Sequence, residues 1–184
     1  MHENRTHTFK LSNKLKSENS PYLKQHENNP VDWMAWNKTS LRIAKDQKKP
    51  IFLSIGYASC HWCHVMAHES FENPETAKVM NENFINIKVD REERPDLDFV
   101  FQRSLGVLTG AQGGWPLSMF LDENGVPFSG GTYFPPEEMQ GRPSFTQVLK
   151  NVAKVYKENR DKIINQVEQM KLVFREFNLK TAVI

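Results

Sequence analysis

Cys60-His61-Trp62-Cys63-His64 gathers the most reactive side chains of this sequence. Both cysteines of the 184-residue chain lie here, and three of its six histidines, His61, His64 and His68, fall within the motif or just after it. Two thiols separated by two residues can close a disulfide between them and so exchange two electrons. That chemistry needs a thiolate, because the ionised sulfur is the attacking species. The flanking residues favour one. Residues 50–56, Pro-Ile-Phe-Leu-Ser-Ile-Gly, form an apolar run with Pro at its entry and Gly at its exit, the pattern of a short buried strand. Beyond the motif, Trp62, Val65 and Met66 fall at helical spacing, and no helix breaker occurs before Pro74. Cys60 is therefore expected where a strand hands over to a helix N-terminus. Unpaired N–H groups and the helix dipole favour an anion there. Such a position lowers a cysteine pKa from about 8.5 to roughly 3.5–7.5, and raises the thiolate fraction at neutral pH from about 3% to half or more. Cys60 is expected to be the exposed thiol and Cys63, a turn further in, the more buried one.

Other chemistries use the same residue types. Cys60, Cys63, His64 and His68 are all zinc-ligand types, but residues 60 and 68 of one helix are about 12 Å apart along its axis. Four bonds of about 2.0–2.3 Å to one ion would require that helix to break. Cys60-His61-Trp62-Cys63-His64 also spells C-x-x-C-H, the covalent haem attachment pattern, in a setting that reads instead as an α/β sheet. Two inert cysteines at a helix end are the bland reading. A purely structural disulfide is disfavoured, because so short a loop removes little unfolded-state entropy.

The other elements must hold the motif in place. Residues 1–19 are polar and aperiodic and read as a flexible arm; one domain is expected over residues 20–184, starting at Ser20-Pro21-Tyr22-Leu23. Asn29-Pro30 reads as an N-cap followed by Pro at the first helical position, opening a helix to about residue 48 that buries Trp33, Trp36, Ile43 and Ala44. Asn73-Pro74 repeats the signal for a helix to about residue 83. Residues 84–90 alternate and are β-branched, so they predict a second strand, parallel to the first through a right-handed crossover. Arg91-Glu92-Glu93-Arg94-Pro95-Asp96 follows its carboxyl end, the ligand-facing edge of an open α/β sheet, and reads as a solvated loop, with a substrate-contacting role as the alternative, before a helix near residues 96–108. A glycine-rich loop, 109–116, leads to a strand at 117–121, an Asp122-Glu123-Asn124-Gly125 turn and a returning strand at 126–130. From residue 144 to about 177 one long helical pattern runs through Phe145, Leu149, Val152, Tyr156, Ile163, Val167, Met170, Phe174 and Phe177. Its distal half exceeds what one small sheet can bury. The order is that of an α/β fold with a central mixed sheet of about four strands flanked by helices, an N-terminal helical extension and a long C-terminal helix.

Composition narrows the function classes. Apolar residues make up 39% and charged residues 25%, as in a soluble globular domain, and the net charge of +2 is too small to argue for nucleic acid or an anionic membrane. No apolar run approaches the roughly 18 residues of a membrane span. The first residues lack the apolar core of a signal peptide. A chain whose cysteines are confined to C-x-x-C fits a reducing compartment, so a cytoplasmic location is expected, and no cofactor.

The element order, with Pro116 directly before the third strand, resembles thioredoxin. That resemblance implies a cis Trp115–Pro116 bond beside the cysteines. It also implies a substrate groove shaped by Trp115 and Pro116. Longer motifs sharpen it: Asn29-Pro30-Val31-Asp32-Trp33, Cys60-His61-Trp62-Cys63-His64-Val65-Met66, Val89-Asp90-Arg91-Glu92-Glu93-Arg94-Pro95-Asp96, Gly113-Gly114-Trp115-Pro116-Leu117 and Gly130-Gly131-Thr132-Tyr133-Phe134-Pro135. Together they resemble the thioredoxin-like domain of the spermatogenesis-associated protein 20 family over residues 20 to about 177. Members of that family continue into a C-terminal α/α-barrel domain, which this chain does not reach. The resemblance implies a thiol–disulfide oxidoreductase in which Cys60 attacks and Cys63 resolves. His61, His64 and Trp62 neighbour the sulfurs. The partners expected are a protein or small-molecule thiol or disulfide and an electron donor that the residues do not identify. The alternative is a binding or regulatory module that uses the same surface without turnover. One departure stands out. Thioredoxin carries a buried acid in the strand before its cysteines, and the matching position here is Ser54, so His64 or a water would have to deprotonate the resolving cysteine.

Overall fold

A computed structural model describes residues 11–176. The expected arm is corrected over residues 11–19. Leu15, in a 3-10 turn over Leu15–Ser17, is fully buried, and the Asn13 amide donates to the carbonyls of His26 and Asn29. One leucine in the core suffices to tie down a polar stretch. Residues 1–10 and 177–184, with Phe177, lie outside the described residues.

Ser20 caps the single turn α1 (Pro21–Lys24), accepting the Leu23 N–H, and so seats Tyr22 and Leu23 in the core. No helix starts at Asn29-Pro30. Asn29 Oδ1 instead accepts from Trp33 Nε1 and meets His26 Nδ1, at 3.1 and 3.0 Å. The chain then runs past Met34, whose N–H donates to the Asn86 carbonyl and whose carbonyl accepts from the Lys88 N–H. A sheet edge presents unpaired backbone groups, and this segment satisfies some of them, which a helix could not do. Helix α2 (Lys38–Gln47) begins instead behind Asn37, which forms a capping box with Ser40.

Then follow β1 (Ile51–Gly56), α3 (His61–Met66), a π turn at Ala67–Phe71, α4 (Pro74–Asn83), β2 (Ile85–Asp90), α5 (Pro95–Thr109), β3 (Leu117–Leu121), β4 (Pro127–Gly131), α6 (Phe145–Glu158) and α7 (Arg160–Glu176). The strands form one four-stranded sheet in the order β2-β1-β3-β4. β1 and β2 are parallel, with Ser54 opposite Lys88; β3 runs antiparallel to both β1 and β4. This is the expected α/β, thioredoxin-like arrangement.

The strand period of two sends alternate residues to opposite faces. Ile51, Leu53, Ile55, Ile85, Ile87 and Val89 pack with Ile43 and Ala44 of α2 and Leu97, Phe101 and Leu105 of α5. Phe52 and Phe120 pack on the other face with Cys60, Cys63, Phe71, Met80 and Phe145. Because helices cover both faces, every residue of β1 and β2 is buried, including Asn86, Lys88 and Asp90.

The long C-terminal helical pattern is present with one interruption. Asn159, at φ −131° and ψ 57°, separates α6 from α7. The Tyr156 hydroxyl and the Arg160 guanidinium both bond the Glu123 carboxylate in the β3–β4 turn. The bend lets Ile163, Val167, Met170 and Phe174 of α7 join the core, so the distal half finds its cover within the domain.

Candidate active site

Strand β1 ends at Gly56, and Tyr57-Ala58-Ser59 turns the chain so that Cys60 becomes the N-cap of α3. Its backbone is extended, and its sulfur accepts the Cys63 N–H at 3.2 Å. An N-cap side chain normally offers an oxygen to such a donor. A sulfur there is poised to carry negative charge when reduced. Cys60 and Cys63 are joined in a disulfide, with Cα atoms 5.3 Å apart. The expected contrast in exposure is absent. Cys60 is 3% and Cys63 2% exposed, because both belong to the apolar cluster that α3 closes over the sheet.

The neighbours differ in their roles. His61 is exposed and its ring meets Trp62 edge to face at 5.5 Å. Trp62 is 52% exposed and leans on Tyr133, whose hydroxyl donates to Glu69 at 2.6 Å. His64 is also exposed, and its Nε2–H donates to the Ala58 carbonyl at 2.7 Å, bracing the turn before Cys60. His68 turns to Glu72 instead, at 3.1 Å. The four zinc-ligand types are thus not gathered at one point.

The glycine-rich loop is clamped from α5. Buried Asp98 accepts from Trp115 Nε1 at 2.9 Å, from Arg91 Nε at 3.1 Å and from Gln102 Nε2 at 3.2 Å. Gln102 also donates to the Gly114 carbonyl. The Arg91 guanidinium lies 4.4 Å from the Trp115 ring centroid, a cation–π contact, so Arg91 leaves the solvated-loop role expected for its segment. The pair Arg94–Asp96 keeps that role at the surface, its two hydrogen bonds holding the Asp96 carboxyl below the usual range. The Trp115–Pro116 bond is cis. Arg91, Asp98 and Gln102 escape a reading of the sequence because their meeting point with Trp115 is built from three separate elements.

A second group lies beneath the sulfurs. A side chain added at Gly56 would place its Cβ 2.6 Å from the Cys63 sulfur and closer still to the Tyr22 hydroxyl, so those two atoms are at most about 5 Å apart. Tyr22 is fully buried, and its hydroxyl oxygen has no hydrogen-bond partner among the described residues. Burial and the nearby Asp90 carboxylate push its pKa up, and the Ser54 hydroxyl opposes them. Ser54 in turn accepts from Lys88 Nζ at 2.9 Å.

Lys88 is 1% exposed and takes part in none of the ion pairs among the described residues. Its nitrogen lies 4.6, 4.7 and 5.2 Å from the ring centroids of Phe71, Trp33 and Tyr22. Burial holds its pKa well below the ordinary lysine range. A buried lone ammonium costs several kcal/mol, and each ring face returns about 0.5–2 kcal/mol. Desolvation therefore wins, while the rings keep the protonated form attainable.

Comparison with known proteins identifies the family of the chain. The Thioredox_DsbH family model, described as a protein of unknown function, DUF255, matches residues 12–175. The uncharacterized protein B0495.5 of Caenorhabditis elegans is 52% identical over 147 residues, 80% of this chain and 20% of that protein. Spermatogenesis-associated protein 20 of Rattus norvegicus and of Homo sapiens are 45% and 44% identical over 161 residues, 88% of this chain and 20% of each relative. The chain thus spans about a fifth of the length of these relatives. Among solved structures, a DsbH oxidoreductase aligns with a TM-score of 0.47 and 18% identity, covering 70% of this chain and 86% of that one. A thioredoxin from Thermus thermophilus aligns with a TM-score of 0.49 and 14% identity, covering 68% and 89%. With the family match running almost the whole described length and close to half of the residues shared with these relatives, the chain belongs to the Thioredox_DsbH (DUF255) family, the family of the spermatogenesis-associated protein 20 sequences.

Proposed function

We propose that the domain is a thiol–disulfide oxidoreductase acting on protein or small-molecule thiols and disulfides. The observation that carries this reading is the Cys60 sulfur at the N-cap of α3, accepting the Cys63 N–H and bonded to Cys63. In the reduced state the Cys60 thiolate keeps that N–H donor and attacks a substrate disulfide. Cys63 then attacks Cys60, the protein disulfide closes, and the substrate leaves as a thiol. Exposed Trp62, next to Cys63 in sequence, and the clamped Trp115 would offer an apolar and a backbone surface to an extended substrate. The setting is a reducing compartment, the cytoplasm, with a separate electron donor returning the pair to its dithiol. An α/α-barrel in the longer relatives would be the covalent neighbour of the domain.

Turbidimetric insulin reduction with dithiothreitol tests the reading. The native chain should accelerate precipitation, Cys60→Ser should abolish the acceleration, and Cys63→Ser should accumulate a mixed disulfide on Cys60. A native chain no faster than dithiothreitol by itself would favour the non-catalytic binding module.

A further inference from the structure

Ser54 stands where thioredoxin has a carboxylate, and His64 is exposed and held by the Ala58 carbonyl. Closing the disulfide still requires a proton to leave Cys63, which is 2% exposed. Three buried polar groups that the exchange itself does not use lie inward of that sulfur. We propose that the Cys63 proton passes through the Tyr22 and Ser54 hydroxyls to the amine of Lys88. This inference rests on the oxidoreductase reading.

The geometry supplies both ends of the path. The Tyr22 hydroxyl is within about 5 Å of the Cys63 sulfur and is otherwise unpartnered among the described residues. Ser54 borders Tyr22 and bonds Lys88 Nζ at 2.9 Å. With Lys88 unprotonated, the Ser54 hydroxyl can turn its hydrogen to the Lys88 nitrogen and accept from the Tyr22 hydroxyl, the orientation the transfer needs. Ser54 and Lys88 are paired across β1 and β2, so strand register maintains their contact. Burial favours the unprotonated amine of Lys88, and the three surrounding rings receive the ammonium that forms.

Two of the other titratable groups nearby are otherwise engaged. Asp90 accepts from the Ser20 hydroxyl and the Glu92 N–H. His26 meets Asn29 through Nδ1, and its charged form is opposed by burial and by Lys88. Glu18, Glu93 and Arg94 line a crevice of about 160 Å³ that also borders Lys88.

The step balances. Cys63 gives its S–H proton to the Tyr22 oxygen, Tyr22 gives its own to Ser54, and Ser54 gives its own to Lys88. The Cys63 thiolate attacks Cys60 in the mixed disulfide. The Cys60–Cys63 bond forms, the bond from Cys60 to the substrate sulfur breaks, and the substrate thiolate takes a proton from solvent. Lys88 then releases its proton to solvent. The dithiol is oxidised and the substrate disulfide is reduced. Lys88 and Ser54 touch neither sulfur and act through Tyr22.

The test titrates Cys63 as the sole thiol, in a Cys60→Ser chain, by iodoacetamide alkylation against pH. Adding Lys88→Met should raise the midpoint by about one pH unit or more and slow alkylation at neutral pH roughly 10-fold. Tyr22→Phe should act in the same direction. Lys88→Arg should not restore the rate, because a guanidinium cannot accept a proton. In chains with both cysteines, Lys88→Met should slow closure of a trapped Cys60 mixed disulfide roughly 10-fold at neutral pH. The deficit should shrink at high pH, and the first attack by Cys60 should stay within about twofold. An unchanged Cys63 profile in folded Lys88→Met overturns the proposal, as does equal slowing of both steps at every pH. If Lys88→Met does not fold, an unchanged profile in Tyr22→Phe overturns it instead. A native chain inactive on insulin, whose Cys63 profile still depends on Lys88, would sink the oxidoreductase reading and leave the proton path standing.

Discussion

Gly56 has no room for a side chain. A Cβ there would meet the Tyr22 hydroxyl and the Cys63 sulfur well inside van der Waals distance. The requirement is steric rather than conformational, since Gly56 is not among the residues at positive φ. Neither obstacle can swing away, because Tyr22 is fully buried and Cys63 is held at the end of a disulfide. Gly56→Ala should therefore cost about 1–3 kcal/mol by overpacking, read as a lower urea midpoint at unchanged slope. A midpoint equal to that of the native chain would show that the space beneath the sulfurs is looser than described. The same tightness brings Tyr22 to Cys63, so one residue serves both packing and the proposed proton path.

Two asparagines compared at the scale of elements show how context assigns one residue type different work. Asn37 caps α2 through a reciprocal bond with Ser40. Asn29 has the same sequence credentials, with Pro30 behind it, but holds Trp33 Nε1 and His26 Nδ1 in a non-helical turn. Asn37→Ala should cost about 1 kcal/mol, the usual value of a lost cap. Asn29→Ala should cost more, because it leaves two buried donors unpaired at about 1–3 kcal/mol each. Parallel thermal or urea unfolding of the two variants gives the ranking, and the reverse order would contradict these assignments. The same turn positions Met34 against the outer edge of β2, beside Lys88.

For the whole molecule, burying basic groups links stability to pH. Burial, then Lys88, lowers the His26 pKa far below its usual 6.5, and burial lowers that of Lys88. Both groups therefore bind protons more readily in the unfolded chain than in the folded one. For His26, the stabilisation is complete above about pH 6.5 and is lost as pH falls below it; for Lys88 the loss begins below about 10.5. Each group contributes a slope of up to about 1.4 kcal/mol per pH unit across its window. Urea unfolding at intervals from pH 8 to pH 5 should show stability falling most steeply below about 6.5, and His26→Gln should flatten that part of the curve. A native chain equally stable across the range would mean that these groups are not desolvated in solution.

The sequence by itself determined what local chemistry controls. The strand–C-x-x-C–helix handover, the Asn73-Pro74 start of α4, the β3–β4 hairpin and the helical run after residue 144 each depend on spacing, caps and turn residues within a few positions. Cys60, Cys63, His61, Trp62, His64, Trp115 and Pro116 could be named for the same reason, together with the family resemblance. Only the tertiary structure decided between Asn29 and Asn37, because the deciding partner of the Asn29 turn is the edge of β2, more than fifty residues away. It also decided the place of Lys88. A period of two reads Asn86, Lys88 and Asp90 as the wet face of a strand. The Met34 segment extends the sheet at its edge, while α1, α3 and the π turn lie over that face and exclude water from it. Alternation along a strand records that its two faces differ, but whether the polar face meets solvent or another layer depends on segments distant in the chain.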